Sequence, residues 1–83
     1  MNVVFTKHAI WKFSVLKKFN LTQDQIVMTV KNPEFLDVKS RTPLKIAQST
    51  IDDEHVLRVI YIQETERIVI ITFYPGRKSQ YAR

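Results

Sequence analysis

The sequence predicts an α+β domain: one N-terminal strand, two antiparallel helices, and a mostly antiparallel sheet of three to four strands on which they pack. Three observations predict it. Val56–Glu64 and Arg67–Tyr74 are β-branched apolar runs separated only by Thr65-Glu66, the plainest hairpin pattern in the chain. Two segments with helical spacing and capping residues precede them. A short apolar run, Asn2–Phe5, opens the chain.

Asn2–Phe5 reads as an edge strand. Thr6 is a good N-cap, and Lys7–Phe19 follows as one predicted helix. Its apolar arc is wide. Ala9, Phe13 and Leu16 share one stripe, and Trp11, Val15 and Phe19 form a second beside it, with Ser14, Lys17 and Lys18 opposite. Asn20 suits the left-handed conformation that ends a helix. Thr22 and Gln25 fit a capping box, so a second helix is predicted over about Gln23–Lys31, with Ile26, Val27 and Val30 on its apolar side. Asn32-Pro33 ends it. Glu34–Asp37 reads as a short extended piece and Val38–Thr42, with Lys39 and Arg41, as an exposed loop. Leu44–Thr50 alternates weakly and suits a modest strand. Asp52-Asp53-Glu54 is a turn before the hairpin, and Pro75-Gly76 stops the last strand ahead of a basic tail, Arg77–Tyr81.

A two-residue turn at Thr65-Glu66 sets an expected register. Glu64 faces Arg67, Ile62 faces Val69, Ile60 faces Ile71 and Arg58 faces Phe73. Tyr61 with Ile70, Val59 with Thr72 and Leu57 with Tyr74 then share the other face. Both faces are largely apolar. One takes the helices, and the other is left for the C-terminal tail, a partner or a second copy of the chain.

Eighty-three residues bound a single domain, 1–83, with a thin core. The absence of cysteine removes a disulfide framework and a thiolate zinc site, and suits a reducing cytoplasm. Two histidines without a cluster of carboxylates point to no metal, and nothing calls for a cofactor. No apolar stretch reaches the roughly 18 residues of a membrane span, and the opening residues lack the regions of a signal peptide. The net charge of +5 is unevenly spread. Residues 1–50 carry +5, residues 51–66 carry −4 and residues 67–83 carry +4. Such a balance favours a polyanionic partner, with nucleic acid first.

The candidate chemistry follows from residue type and position. Arg58 interrupts an apolar strand, so it needs an acidic partner, with Asp52, Asp53 and Glu54 available, or an open groove. Arg77, Lys78 and Tyr81 lie on the tail. Guanidinium groups bind phosphate bidentately and neutralise charge in phosphoryl transfer, and a tyrosine can stack on a base or move a proton. His8 and Lys12 lie four apart on one helix face, where His8 is a candidate general base or packs the helix end. His55, after three acids, reads as a surface residue. Trp11 reads as core, with base stacking as the other use of its ring.

The Leu57-Arg58-Val59-Ile60-Tyr61 segment resembles the arginine-bearing strand of the RelE/ParE superfamily of toxins. The stretch from Ile70 to Tyr81 resembles the strand and basic tail that follow it. Phe5-Thr6-Lys7-His8-Ala9, with the Asn32-Pro33 helix end, is similar to the BrnT-type branch. This resemblance implies a curved sheet and an antitoxin protein as cognate partner. It implies a metal-independent endoribonuclease acting on RNA, ribosome-associated mRNA included, through attack of the 2′-hydroxyl. It implies Arg58, Arg77 and Tyr81 as catalytic residues, with His8 carried over from the opening. Lys45 is the nearest counterpart of the lysine that precedes the hairpin in RelE toxins, and Lys12, Lys45 and Lys78 are the expected RNA-binding lysines. The alternatives within the superfamily are a module that binds a topoisomerase or an antitoxin without catalysis, and a relative that has kept the fold and lost the activity.

Overall fold

The computed structural model describes residues 2–81. The N-terminal half is helical for the reasons its caps give. Thr6 accepts the Ala9 N–H at its hydroxyl and starts α1, Lys7–Trp11. The single helix expected over Lys7–Phe19 is in fact two. The Lys12 N–H is shared between the His8 and Ala9 carbonyls, which tightens the last turn of α1. The chain then restarts as α2, Phe13–Lys18. Asn20, at φ 55°, ends α2 in a Schellman motif: Leu21 N–H donates to Leu16 O (2.8 Å) and Asn20 N–H to Lys17 O (3.3 Å). The third helix, α3, spans Gln23–Lys31 within the expected bounds, and its capping box is fully formed between Thr22 and Gln25.

Five strands form one mixed sheet, against the three to four expected. They are β1 (Asn2–Phe5), β2 (Phe35–Asp37), β3 (Lys45–Thr50), β4 (His55–Gln63) and β5 (Arg67–Arg77), in the spatial order β1-β5-β4-β3-β2. All neighbours are antiparallel except β1, which runs parallel to β5 along residues 67–70. The final strand does not stop at Pro75-Gly76. Pairing of Pro75 with Leu57 leaves the proline nitrogen on the outer edge of β5, beyond the end of β1, where no donor is needed. The tail closes with one helical turn, α4, Lys78–Tyr81.

The hairpin register holds near the turn and then slips. Glu64 N–H donates to Arg67 O (2.9 Å), Ile62 faces Val69 and Tyr61 faces Ile70, as expected. Between Ile60 and Tyr61 a β-bulge gives β5 one extra residue, Ile71. Beyond it every partner shifts by one. Val59 faces Phe73, and Arg58 faces Tyr74 rather than Phe73. Phe73 therefore joins Leu57, Val59, Tyr61, Ile68, Ile70 and Ala47 on the face that packs against Ala9, Leu16, Leu21, Ile26 and Val30 of the helical layer. Arg58 lies on the opposite face with Val56, Ile60, Ile46, Gln48, Thr72 and Tyr74.

Trp11 is not in the core. Its side of α1 faces solvent, and the residue is 87% exposed. Phe13 and Phe19 supply the aromatic packing instead, at Phe5, Phe73 and His55.

Candidate functional site

Arg58 stands near the middle of the open sheet face and is 8% exposed. Three elements hold its guanidinium. Gln48 on β3 lies opposite it in register and accepts from Nη1 at 2.6 Å. Tyr74 on β5, brought across by the bulge, accepts from Nε at its hydroxyl at 2.9 Å. From α4, the Tyr81 ring covers the guanidinium with its centroid 4.0 Å from Cζ, a cation–π stack. Of the two readings of Arg58, the salt bridge to Asp52, Asp53 or Glu54 does not form among the described residues. Among the described residues no carboxylate lies within ion-pair distance of Arg58. The described partners of the guanidinium are thus a glutamine, a phenol and an aromatic ring, all neutral, with the ring of Tyr81 covering it.

Two details of sequence place Tyr81. Gly76 faces Val56 on the same side of the sheet, and a Cβ there would lie 2.5 Å from the Tyr81 ring, so only glycine leaves room for it. The Tyr81 carbonyl accepts from Gln48 Nε2 at 3.0 Å, so one glutamine holds both the arginine and the turn that covers it. Lys78 N–H donates to Glu54 O at 2.7 Å and anchors the start of α4 on the turn before β4.

A second cation reaches this face from the helical side. Lys12, at the end of α1, passes the outer edge of β5, where its Nζ donates to the Phe73 carbonyl and, at 3.1 Å, to Thr72 Oγ1. The same nitrogen lies 5.9 Å from the Tyr74 ring centroid. Burial lowers the Lys12 ammonium from its ordinary value, and the Tyr74 phenol partly offsets this. The acids near the β2 edge are engaged elsewhere. Asp37 is held at about 2, chiefly by the Ser40 hydroxyl and by the Ser40 and Lys39 amides, with Arg58 a minor contributor. Glu34 is lowered mainly by the Thr50 amide and hydroxyl.

Of the residues singled out from sequence, Arg58 and Tyr81 meet, and Lys12 joins them through Tyr74. The others stand apart. Arg77 faces His55 at the far end of the hairpin, on the side of the sheet opposite Arg58, and is exposed beside Asp53, Glu54 and Ser79. His8 is exposed on α1 with Lys7, Ile10 and Trp11. Lys45 pairs with Tyr61, which places it on the helix-covered face. Lys78 borders the open face beside Glu34, Val56, Gln48 and Tyr81. His55 is half-buried. Its Nδ1 lies 3.0 Å from Asp52, and its ring packs on Phe19.

Sequence reading missed Tyr74 and Gln48. The bulge that turns Tyr74 to this face has no residue signature, and Gln48 becomes a partner of Arg58 only once β3 is known to pair with β4. Among the described residues no group of three His, Cys, Asp or Glu side chains is placed to hold a metal ion, and no helix is long and apolar enough to cross a membrane. Comparisons with family models, curated proteins and solved structures found no match to the chain.

Proposed function

We propose that the chain is a metal-independent endoribonuclease, the toxin of a toxin–antitoxin pair of the RelE/ParE kind, acting on RNA in the cytoplasm. The observation that carries the reading is the Tyr81 ring 4.0 Å above Arg58, a phenol and a guanidinium on one face with no acid paired to the cation among the described residues. A strand, paired helices and an arginine-bearing hairpin in this order support the RelE-like reading of the fold.

The chemistry suited to this pair is transesterification. A ribose 2′-hydroxyl loses its proton, and the oxygen attacks the adjacent phosphorus. The 5′-oxygen leaves with a proton, which yields a 2′,3′-cyclic phosphate and a 5′-hydroxyl end. Neither a hydrolytic water nor a metal is required. Arg58 neutralises the charge on the phosphoryl oxygens, the task guanidinium groups serve in phosphoryl transfer. The Tyr81 hydroxyl gives its proton to the departing 5′-oxygen and regains one from water, while the 2′-hydroxyl proton passes to solvent. Lys12 and Lys78 hold flanking phosphates at the two borders of the face. His8, Lys45 and Arg77 take no part at the reacting centre, because each lies away from Arg58.

Arg58 is only 8% exposed, so the Tyr81 ring moves aside for a phosphate to reach it. That burial also favours a second reading, a non-catalytic module that keeps the fold and binds a protein partner, its antitoxin or a topoisomerase, with Arg58 as a packing residue.

Incubation of the purified protein with single-stranded RNA in chelator separates the two. Arg58→Gln is expected to slow cleavage by about 100- to 1000-fold. Tyr81→Phe, which keeps the ring and removes the hydroxyl, is also expected to be slow. Arg77→Ala is expected to cleave as the parent does. A folded parent protein that leaves RNA intact would favour the binding module.

A further inference from the structure

Trp11 is the only tryptophan of the chain, and its 87% exposure is the largest among the exposed large apolar side chains of the described residues. An indole left in water at this level contributes nothing to the core, so packing does not account for it. The recess it lines carries a lysine and no acid. Lys7 and His8 line the same shallow recess as Trp11 and Ile10, and no acid occurs before Asp24. The next residue, Lys12, is the one whose Nζ crosses the β5 edge to Thr72 on the face of Arg58. Trp11 and Lys12 are consecutive, and it is Lys12 whose ammonium reaches the border of the arginine face.

We propose that Trp11 is a stacking platform for a base of single-stranded RNA whose phosphates pass Lys12 on the way to Arg58. Lys7 beside the ring and Lys12 next to it in the chain suit a polyanion, and an exposed indole offers a base a face with no sequence demand. This rests on the proposal that the open face takes RNA, and extends it to the nucleotides outside the reacting centre.

A sole tryptophan makes the test direct. An oligouridylate and an oligoadenylate of about ten nucleotides, near the site size of single-strand binders, are titrated into the protein while indole fluorescence is followed. Saturable quenching is expected with each. Trp11→Ala is expected to weaken binding, read by fluorescence anisotropy of a labelled oligonucleotide, roughly 5- to 100-fold, while Trp11→Phe keeps most of the affinity. Ile10→Ser is the control. A protein segment seated on the apolar pair needs Ile10 as much as Trp11, whereas a stacked base does not. Loss with Trp11→Ala and not with Ile10→Ser supports the platform. Equal loss with both, or RNA bound tightly with the indole signal and the Trp11→Ala affinity unchanged, overturns it and leaves RNA binding at the sheet face standing. No RNA binding by the parent protein overturns both.

Discussion

Arg58 is the residue on which the proposed chemistry depends, and two of its three described partners are reachable only through backbone geometry. Had the hairpin run without its bulge, Phe73 would face Arg58 and Tyr74 would point into the core. One extra residue, Ile71, exchanges them. The presence of a cation at position 58 was legible in the sequence because an arginine stands alone in an apolar run, and so was the candidacy of Tyr81. The partners were not, since strand register beyond a bulge is fixed by packing of Phe73 against Phe13 rather than by any local signal. Trp11 is the opposite case. Its helical spacing matched a core stripe, but the helix breaks at Lys12 and the ring faces water. Gly76 gives a residue-scale prediction. A methyl group there would collide with the Tyr81 ring, a side chain free to swing away, so Gly76→Ala should displace the ring from Arg58 without unfolding the sheet. In denaturant unfolding, Gly76→Ala is expected to destabilise the parent and to be neutral or stabilising in a Tyr81→Ala background. A coupling of roughly 0.5–2 kcal/mol is expected from the double-mutant cycle, in line with a desolvated cation–π contact. Additive effects would mean that Tyr81 does not lie on Gly76.

At the scale of elements, the helix starts that were read correctly are those with a side-chain cap, Thr6 for α1 and Thr22 for α3. Thr22 and Gln25 satisfy each other's backbone amides, and α3 begins where that pattern places it. Thr22→Ala should cost about 1 kcal/mol of unfolding free energy, and Gln25→Ala a smaller part of the same effect. A change near zero would show that the cap is not formed in solution. The loop after β2 is organised by Asp37 in the same way. Its carboxylate accepts from Lys39 N–H and Ser40 N–H, each at 3.0 Å, and from the Ser40 hydroxyl. An aspartate ordinarily titrates near 3.8, and Asp37 is drawn down to about 2. The folded value is the lower one, so the ordering that this carboxylate gives the loop is complete above the ordinary value and is lost as pH falls through about 2. An NMR titration should place the Asp37 midpoint near 2, and Ser40→Ala should raise it toward 3.8. A parent midpoint already at 3.8 would contradict the hydrogen-bonded loop.

Over the whole molecule, the two faces of one sheet divide the tasks. One face takes α1, α2 and α3 and makes the core. The other keeps a buried arginine, Tyr74 and a glutamine beneath a single helical turn that carries Tyr81. The α+β class and the strand–helix–hairpin order were legible from periodicity and turn residues. The three-residue β2, read only as an extended piece, is too short to carry an alternation, and the parallel pairing of β1 with β5 was not legible because it joins segments more than sixty residues apart in the chain. The charge distribution agrees with this division. The acidic stretch ends at the turn of the hairpin, while Lys12 and Lys78 flank the face that holds Arg58. The central claim is that this face performs 2′-hydroxyl attack on RNA. The most direct test is mass spectrometry of the ends produced from a defined single-stranded RNA in chelator by the parent protein and by Tyr81→Phe. The expected products are a 2′,3′-cyclic phosphate and a 5′-hydroxyl, formed by the parent and greatly slowed in the variant. Intact RNA, 5′-phosphate ends, or equal rates for the two proteins would contradict it.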